Sequence, residues 1–114
     1  LEGLDNLFSL NIIDNRIKIL KENTFLKTNK LYQLQITKNK LHSIEKNAFK
    51  GLELSINYLY LDQNKIEVVK NHYFKNLICL THLSLNKNTI SAIESDSFKD
   101  LVSLTVLVLS DNCL

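Results

Sequence analysis

Apolar residues recur along this chain in one frame. The first copy reads Leu7-x-x-Leu10-x-Ile12-x-x-Asn15-x-Ile17-x-x-Leu20, followed by Phe25 and Thr28. The frame returns at Leu31, Leu34, Ile36, Asn39, Leu41, Ile44, Phe49 and Leu52, and again at Ile56, Leu59, Leu61, Asn64, Ile66, Val69, Phe74 and Leu77. A fourth copy runs Leu80, Leu83, Leu85, Asn88, Ile90, Ile93, Phe98 and Leu101. Thr28 is the one polar residue at an apolar frame position in these four copies. A unit that repeats this strictly covers its apolar face by stacking on its neighbours. Within each Leu-x-x-Leu-x-Leu segment apolar and polar residues alternate, so Leu59 and Leu61 face inward while Tyr58, Tyr60 and Asp62 face outward. The pattern predicts parallel strands centred near Leu10 to Ile12, Leu34 to Ile36, Leu59 to Leu61, Leu83 to Leu85 and Leu107 to Leu109.

The polar residue fixed amid these apolar ones is an asparagine. Asn15, Asn39, Asn64, Asn88 and Asn112 stand 24, 25, 24 and 24 residues apart. Each falls where a strand ends and the chain turns across the core, and an amide both donates and accepts there, so a structural ladder is expected. Phe25, Phe49, Phe74 and Phe98 are expected to stack as a spine through the wide half of the core. The single extra residue lies in Glu53-Leu54-Ser55, where a return can bulge without shifting strand register.

This frame resembles the leucine-rich repeat family, and a repeat of about 24 residues with a late Phe resembles its typical extracellular animal subtype. Toll-like receptor and insect leucine-rich repeat ectodomains are of this kind. The resemblance implies an α/β solenoid, a horseshoe segment with a parallel sheet on its concave face and loops or short helical turns on its convex face. It divides the chain into a partial repeat at 1–6, repeats at 7–30, 31–55, 56–79 and 80–103, and a partial repeat at 104–114. Leu1, Leu4 and Leu7 align with Phe98, Leu101 and Leu104, so the sequence opens within a return and closes just after a strand. Neither end carries a cysteine-rich cap, and the expectation is a segment of a longer horseshoe whose ends expose Leu1, Leu4, Leu107, Leu109 and Leu114.

Composition narrows the function. The 114 residues are 45% hydrophobic and 23% charged, with a net charge of +2, the profile of one globular domain. Its 14 basic and 12 acidic residues are spread along the whole length, so no nucleic-acid or anionic-lipid partner is favoured. No apolar run is long enough to span a bilayer, and direct membrane contact within the segment is not expected. With Gly 2 and Pro 0, asparagine supplies much of the turn chemistry. Cys79 and Cys113 fall on opposite sides of the coil and are not expected to pair. Cys113 could instead bridge to a cap or act as a reactive thiol, or both cysteines could be unpaired and partly buried. No Asn-x-Ser/Thr sequon occurs, so the expectation of an extracellular location rests on the resemblance.

No residue set supports catalysis, and the chain is not expected to be an enzyme. His42, His72 and His82 occupy different phases of the repeat, which argues against a metal site, and nothing implies a cofactor. His82 and Ser84 share the outward face of one strand but diverge, with no carboxylate expected to orient the imidazole. Lys21, Lys27, Lys30, Lys46, Lys50, Lys70, Lys75 and Lys99 read as a solvated convex face, with weak heparan-type binding as the runner-up. What remains is the concave strip, about 20 Å across. Its candidate ligand-binding residues are Gln33, Gln35, Tyr58, Tyr60, Asp62, His82 and Ser84, a mixture of amides and aromatics suited to a protein surface. An idle solvated sheet whose tyrosines simply favour strands would look the same. The resemblance implies a protein-binding module of an extracellular receptor or a secreted innate-immune or adhesion protein. The alternative is an architectural spacer, or a segment that dimerises with a leucine-rich repeat partner chain through a lateral face.

Overall fold

The computed structural model describes residues 4–114. The expectations placed on Leu1, and on the first half of the partial repeat at 1–6, lie outside the described residues. Five strands, β1 (Ser9–Ile13), β3 (Gln33–Thr37), β5 (Tyr58–Tyr60), β7 (His82–Ser84) and β9 (Val106–Val108), form one parallel sheet in that order. Leu10 pairs with Leu34, Leu34 with Leu59, Leu59 with Leu83 and Leu83 with Leu107. The frame leucine of every coil therefore stands in register with the next, and the extra residue at 53–55 leaves that register intact. β5, β7 and β9 end one residue before the expected centres would place them. From there Leu61 N and Leu85 N continue the pattern, donating to Ser84 O and Val108 O, each at 2.9 Å.

Inward side chains from the coils merge into one core. Leu34, Ile36, Leu59 and Leu61 are completely buried. Phe25, Phe49, Phe74 and Phe98 stack in sequence at ring-centroid separations of 6.0, 6.3 and 6.2 Å. Thr28 is also fully buried in the leucine position, where its hydroxyl donates to Phe25 O at 3.0 Å. That bond satisfies the polar atom the site would otherwise strand.

The frame asparagines tie successive coils together. Asn64 donates from Nδ2 to Ile36 O (2.8 Å) and Leu61 O (3.0 Å), and its Oδ1 accepts Leu41 N (3.1 Å). Asn88 repeats the scheme on Leu61 O, Leu85 O and Ile66 N, and Asn112 on Leu85 O, Leu109 O and Ile90 N. Asn39 reaches Ile12 O, Thr37 O and Ile17 N. Asn15 is exposed and bonds only its own strand, at Ile13 O. The residue before each asparagine, Asp14, Lys38, Gln63, Lys87 or Asp111, is left-handed with φ between 53 and 58°. Such a conformation strains a side chain, and here the turn is held from outside by the asparagine that follows.

The convex face corrects the α/β expectation. Among the described residues there is no helix, and the returns are chains of tight turns. The carbonyls of the returns are taken up by three-residue turn bonds such as Leu52 N to Phe49 O at 3.0 Å rather than by the four-residue bonds of an α-helix. The convex side instead carries short strands the sequence pattern did not announce: β2 (Ile19–Leu20) pairs with β4 (Ser43–Ile44), and β6 (Val68–Val69) with β8 (Ala92–Ile93). No pairing joins β4 to β6.

His72 and Tyr73 stand at that break. His72 Nε2 donates to Ile44 O at 2.8 Å. Burial pushes the Tyr73 phenol above its usual pKa, against the opposing pull of hydrogen bonds from the Ile44 backbone and Ser43. Both side chains thus engage the Ile44 backbone, which the following coil would otherwise reach. One coil on, Ser97 in the position of Tyr73 also donates to the preceding coil, its Oγ reaching Val69 O at 3.1 Å, but there Glu94 N reaches the same carbonyl at 2.9 Å and the short strands pair.

Candidate binding surface

Alternation along β3, β5 and β7 turns Gln33, Gln35, Tyr58, Tyr60 and His82 to the concave side, where all are partly exposed. The register sets Gln33 and His82 beside Tyr58, and Gln35 and Ser84 beside Tyr60. Tyr58 is the hub: its ring lies 4.6 Å from His82 and stacks with Tyr60 at 6.4 Å. His82 Nδ1 is 2.9 Å from the Thr81 hydroxyl.

Two candidates are less available than expected. Ser84 is buried, and its hydroxyl donates to Asp62, whose Oδ1 also accepts Asn86 N at 3.0 Å. A carboxylate therefore approaches the Ser84 strand, though not the His82 imidazole. Parallel stacking carries the outward residue two before one asparagine toward the next coil, and there it meets the serine rather than the imidazole. His82, tied to Thr81, is not arranged as a base for Ser84. A polar row continues from this point, Ser110 Oγ donating to Asn86 Oδ1 at 2.8 Å.

The aromatic surface extends beyond the residues read from sequence. Phe8 stacks on Tyr32 at 4.9 Å, and Tyr32 meets Tyr58 edge-on at 5.3 Å. A side-chain hydrogen bond with Tyr58, aided by desolvation, holds the Tyr32 phenol above its usual pKa. Five rings, from Phe8 through Tyr32 and Tyr58 to Tyr60 and His82, therefore form a continuous array on the concave side and its entry rim. Phe8, on the first of these coils, is exposed. Phe8 and Tyr32 occupy the same frame position, directly before the strand, and that shared phase was the available signal. The alternation rule hid it, because that rule assigns faces only within strands.

Neither cysteine is bonded: Cys79 is partly buried and Cys113 exposed. Among the described residues no group of three His, Cys, Asp or Glu side chains is placed to hold a metal ion, and no helix is long and apolar enough to cross a membrane.

A continuous parallel sheet, an asparagine ladder and a phenylalanine spine at a 24-residue period define a solenoid of the leucine-rich repeat kind. The leucine-rich repeat family model matches residues 54–114, more than half of the chain, and the chain belongs to that family. It is similar to the Toll chain in the structure of the Drosophila Toll–Spatzle complex, a molecular hub in development and innate immunity, with 25% identity and a TM-score of 0.82. That similarity covers 87% of this chain and 13% of the Toll chain. It is also similar to the chain in the TLR13–ssRNA13 complex, at 27% identity and a TM-score of 0.78, over 95% of this chain and 20% of the other. The chain thus spans a small fraction of the length of these solved relatives. No curated protein matches it.

Proposed function

We propose that this chain is a protein-binding segment of an extracellular receptor, or of a secreted innate-immune or adhesion protein, and that it recognises its ligand through the concave sheet. The observation that carries the reading is the ring array from Phe8 to His82, flanked by the uncharged amides of Gln33 and Gln35. Rigid rings with a single polar atom contribute contact area at small entropic cost, which suits a protein epitope. Similarity to the Toll chain of a complex with Spatzle supports a protein ligand. The role is read as binding rather than catalysis, in keeping with the leucine-rich repeat family match. The single-stranded RNA in the TLR13 complex makes nucleic acid the competitor to exclude.

The test is capture from extracellular fluid on the immobilised chain, comparing wild type, Tyr58→Ala/Tyr60→Ala and Lys18→Ala/Lys65→Ala. The tyrosine variant is expected to lose a specific protein captured by the other two, with a penalty above about 2 kcal/mol for the anchor. Retention of that protein by the tyrosine variant would move recognition off the concave sheet. Loss of capture on adding single-stranded RNA would assign the rings to nucleotide stacking. Equal behaviour of all three chains, with no protein held, would leave the segment as a spacer.

A further inference from the structure

The third return, residues 70–76, departs from its neighbours in a second way that concerns charge. At the junction of the first and second coils, Glu45 Oε1 accepts Glu22 N at 2.8 Å; at the junction of the third and fourth, Glu94 Oε1 accepts Asn71 N at 2.9 Å. The corresponding amide between them is Lys46 N, and the residue corresponding to the glutamate is Lys70. An ammonium group cannot accept, and Lys46 N has no acceptor among the described residues. The amide whose counterparts meet a carboxylate has a lysine at that position instead.

Lys46, His72, Lys75 and Lys99 share a cavity of about 340 Å³ with Asp96 and Asp100. Asp100 is partly withdrawn, its Oδ2 accepting Asn76 N at 2.9 Å. Glu53, near Lys50 and Lys75, is likewise turned to backbone, accepting Gly51 N at 2.7 Å. Lys46, Lys75 and Lys99 make no ion pair among the described residues. Lys50, Lys75 and Lys99 each follow a spine phenylalanine, so they recur once per coil along the convex face. Tyr73 is buried, and the ring beside these lysines is the partly exposed His72 imidazole, whose Nε2 is held on Ile44 O.

We propose that this convex groove binds the sulfate esters of an extended acidic polysaccharide, with one ester oxygen on Lys46 N and charge supplied by Lys46, Lys75 and Lys99. Cations that recur once per coil, with one imidazole held in a backbone bond and no run of exposed aromatic rings, suit an extended saccharide polyanion better than a stacked nucleic acid. The site is independent of the concave sheet and would survive the failure of that assignment.

Heparin is the probe, titrated against the full 114-residue chain at fixed ionic strength, with desulfated heparin and a single-stranded RNA of equal charge as separate arms. Lys46→Gln/Lys75→Gln/Lys99→Gln is expected to weaken heparin binding by about tenfold, while Lys18→Gln/Lys38→Gln/Lys87→Gln, of identical charge, changes it by less than about twofold. Lys70→Glu is expected to weaken heparin binding and raise the melting temperature, because the new carboxylate occupies Lys46 N. Lys21→Glu, the same charge change one return away from the second coil, should leave heparin binding within about twofold of wild type. Equal losses in the two lysine triples, or unchanged affinity for desulfated heparin, would overturn the proposal. So would tighter binding of the RNA that depends on Lys46, Lys75 and Lys99.

Discussion

The concave and convex faces are built from the same coils, yet one is continuous and the other is divided. On the concave side five strands pair without a gap, whereas on the convex side the pairs β2–β4 and β6–β8 are separated at the second junction. The difference lies in what fixes each face. Concave register follows from inward leucines and the asparagine ladder, and any slip would bury polar residues along the whole strand. The convex returns have only to deliver a phenylalanine to the spine, so His72 and Tyr73 can occupy the Ile44 backbone at no cost to strand register.

If the division stops at the surface, the core should behave as one unit. Phe74 is buried between Phe49 and Phe98, beside the divided junction. Phe74→Ala is expected to lose about 3–5 kcal/mol in urea melts, as a single cooperative transition. Two resolved transitions would mean that the convex gap runs through the core.

A smaller effect separates ladder positions from one another. Asn64→Ala removes bonds to Ile36 O, Leu61 O and Leu41 N and is expected to destabilise by about 1–3 kcal/mol. Asn15→Ala, at the same frame position but exposed and bonded only to Ile13 O, should change stability by less than about 0.5 kcal/mol. Equal losses would show that the asparagine acts within its own turn rather than between coils.

The smallest effect is a pH signature of the convex wedge. Burial raises the Tyr73 pKa above 10.0, so the folded chain holds that proton more tightly than the unfolded chain. The resulting stabilisation is complete below the unfolded phenol value and is lost as pH climbs through the folded one. Melting temperatures compared between wild type and Tyr73→Phe should therefore converge, or cross, only in the alkaline range. A constant difference from neutral to alkaline pH would mean that Tyr73 is not buried as a neutral phenol.

Much of this architecture was legible in the residues. The leucine alternation and the 24-residue asparagine spacing carried the concave sheet, because both are periodic and periodicity survives without coordinates. The phenylalanine spine was legible for the same reason. The convex strands were not: two-residue pairs such as Ser43–Ile44 leave no periodic trace. The α/β expectation followed the resemblance rather than any helical spacing in the returns. In the candidate surface, Gln33, Gln35, Tyr58, Tyr60 and His82 were placed by alternation, whereas Phe8 and Tyr32 escaped it by standing before their strands. Asp62 and Ser84 were read as outward candidates, and lateral bonding between coils, which a single repeat does not express, joins them to each other.

The ring array also makes the chain its own optical reporter. It contains four tyrosines and no tryptophan, and three of the four, Tyr32, Tyr58 and Tyr60, belong to the concave array while Tyr73 is buried on the far side. Ultraviolet emission from the unlabelled protein therefore originates largely where a ligand is proposed to land. In a Tyr73→Phe background it originates there entirely. Quenching on titration would then report occupancy of that face directly, and a ligand held on the convex returns would leave the emission unchanged.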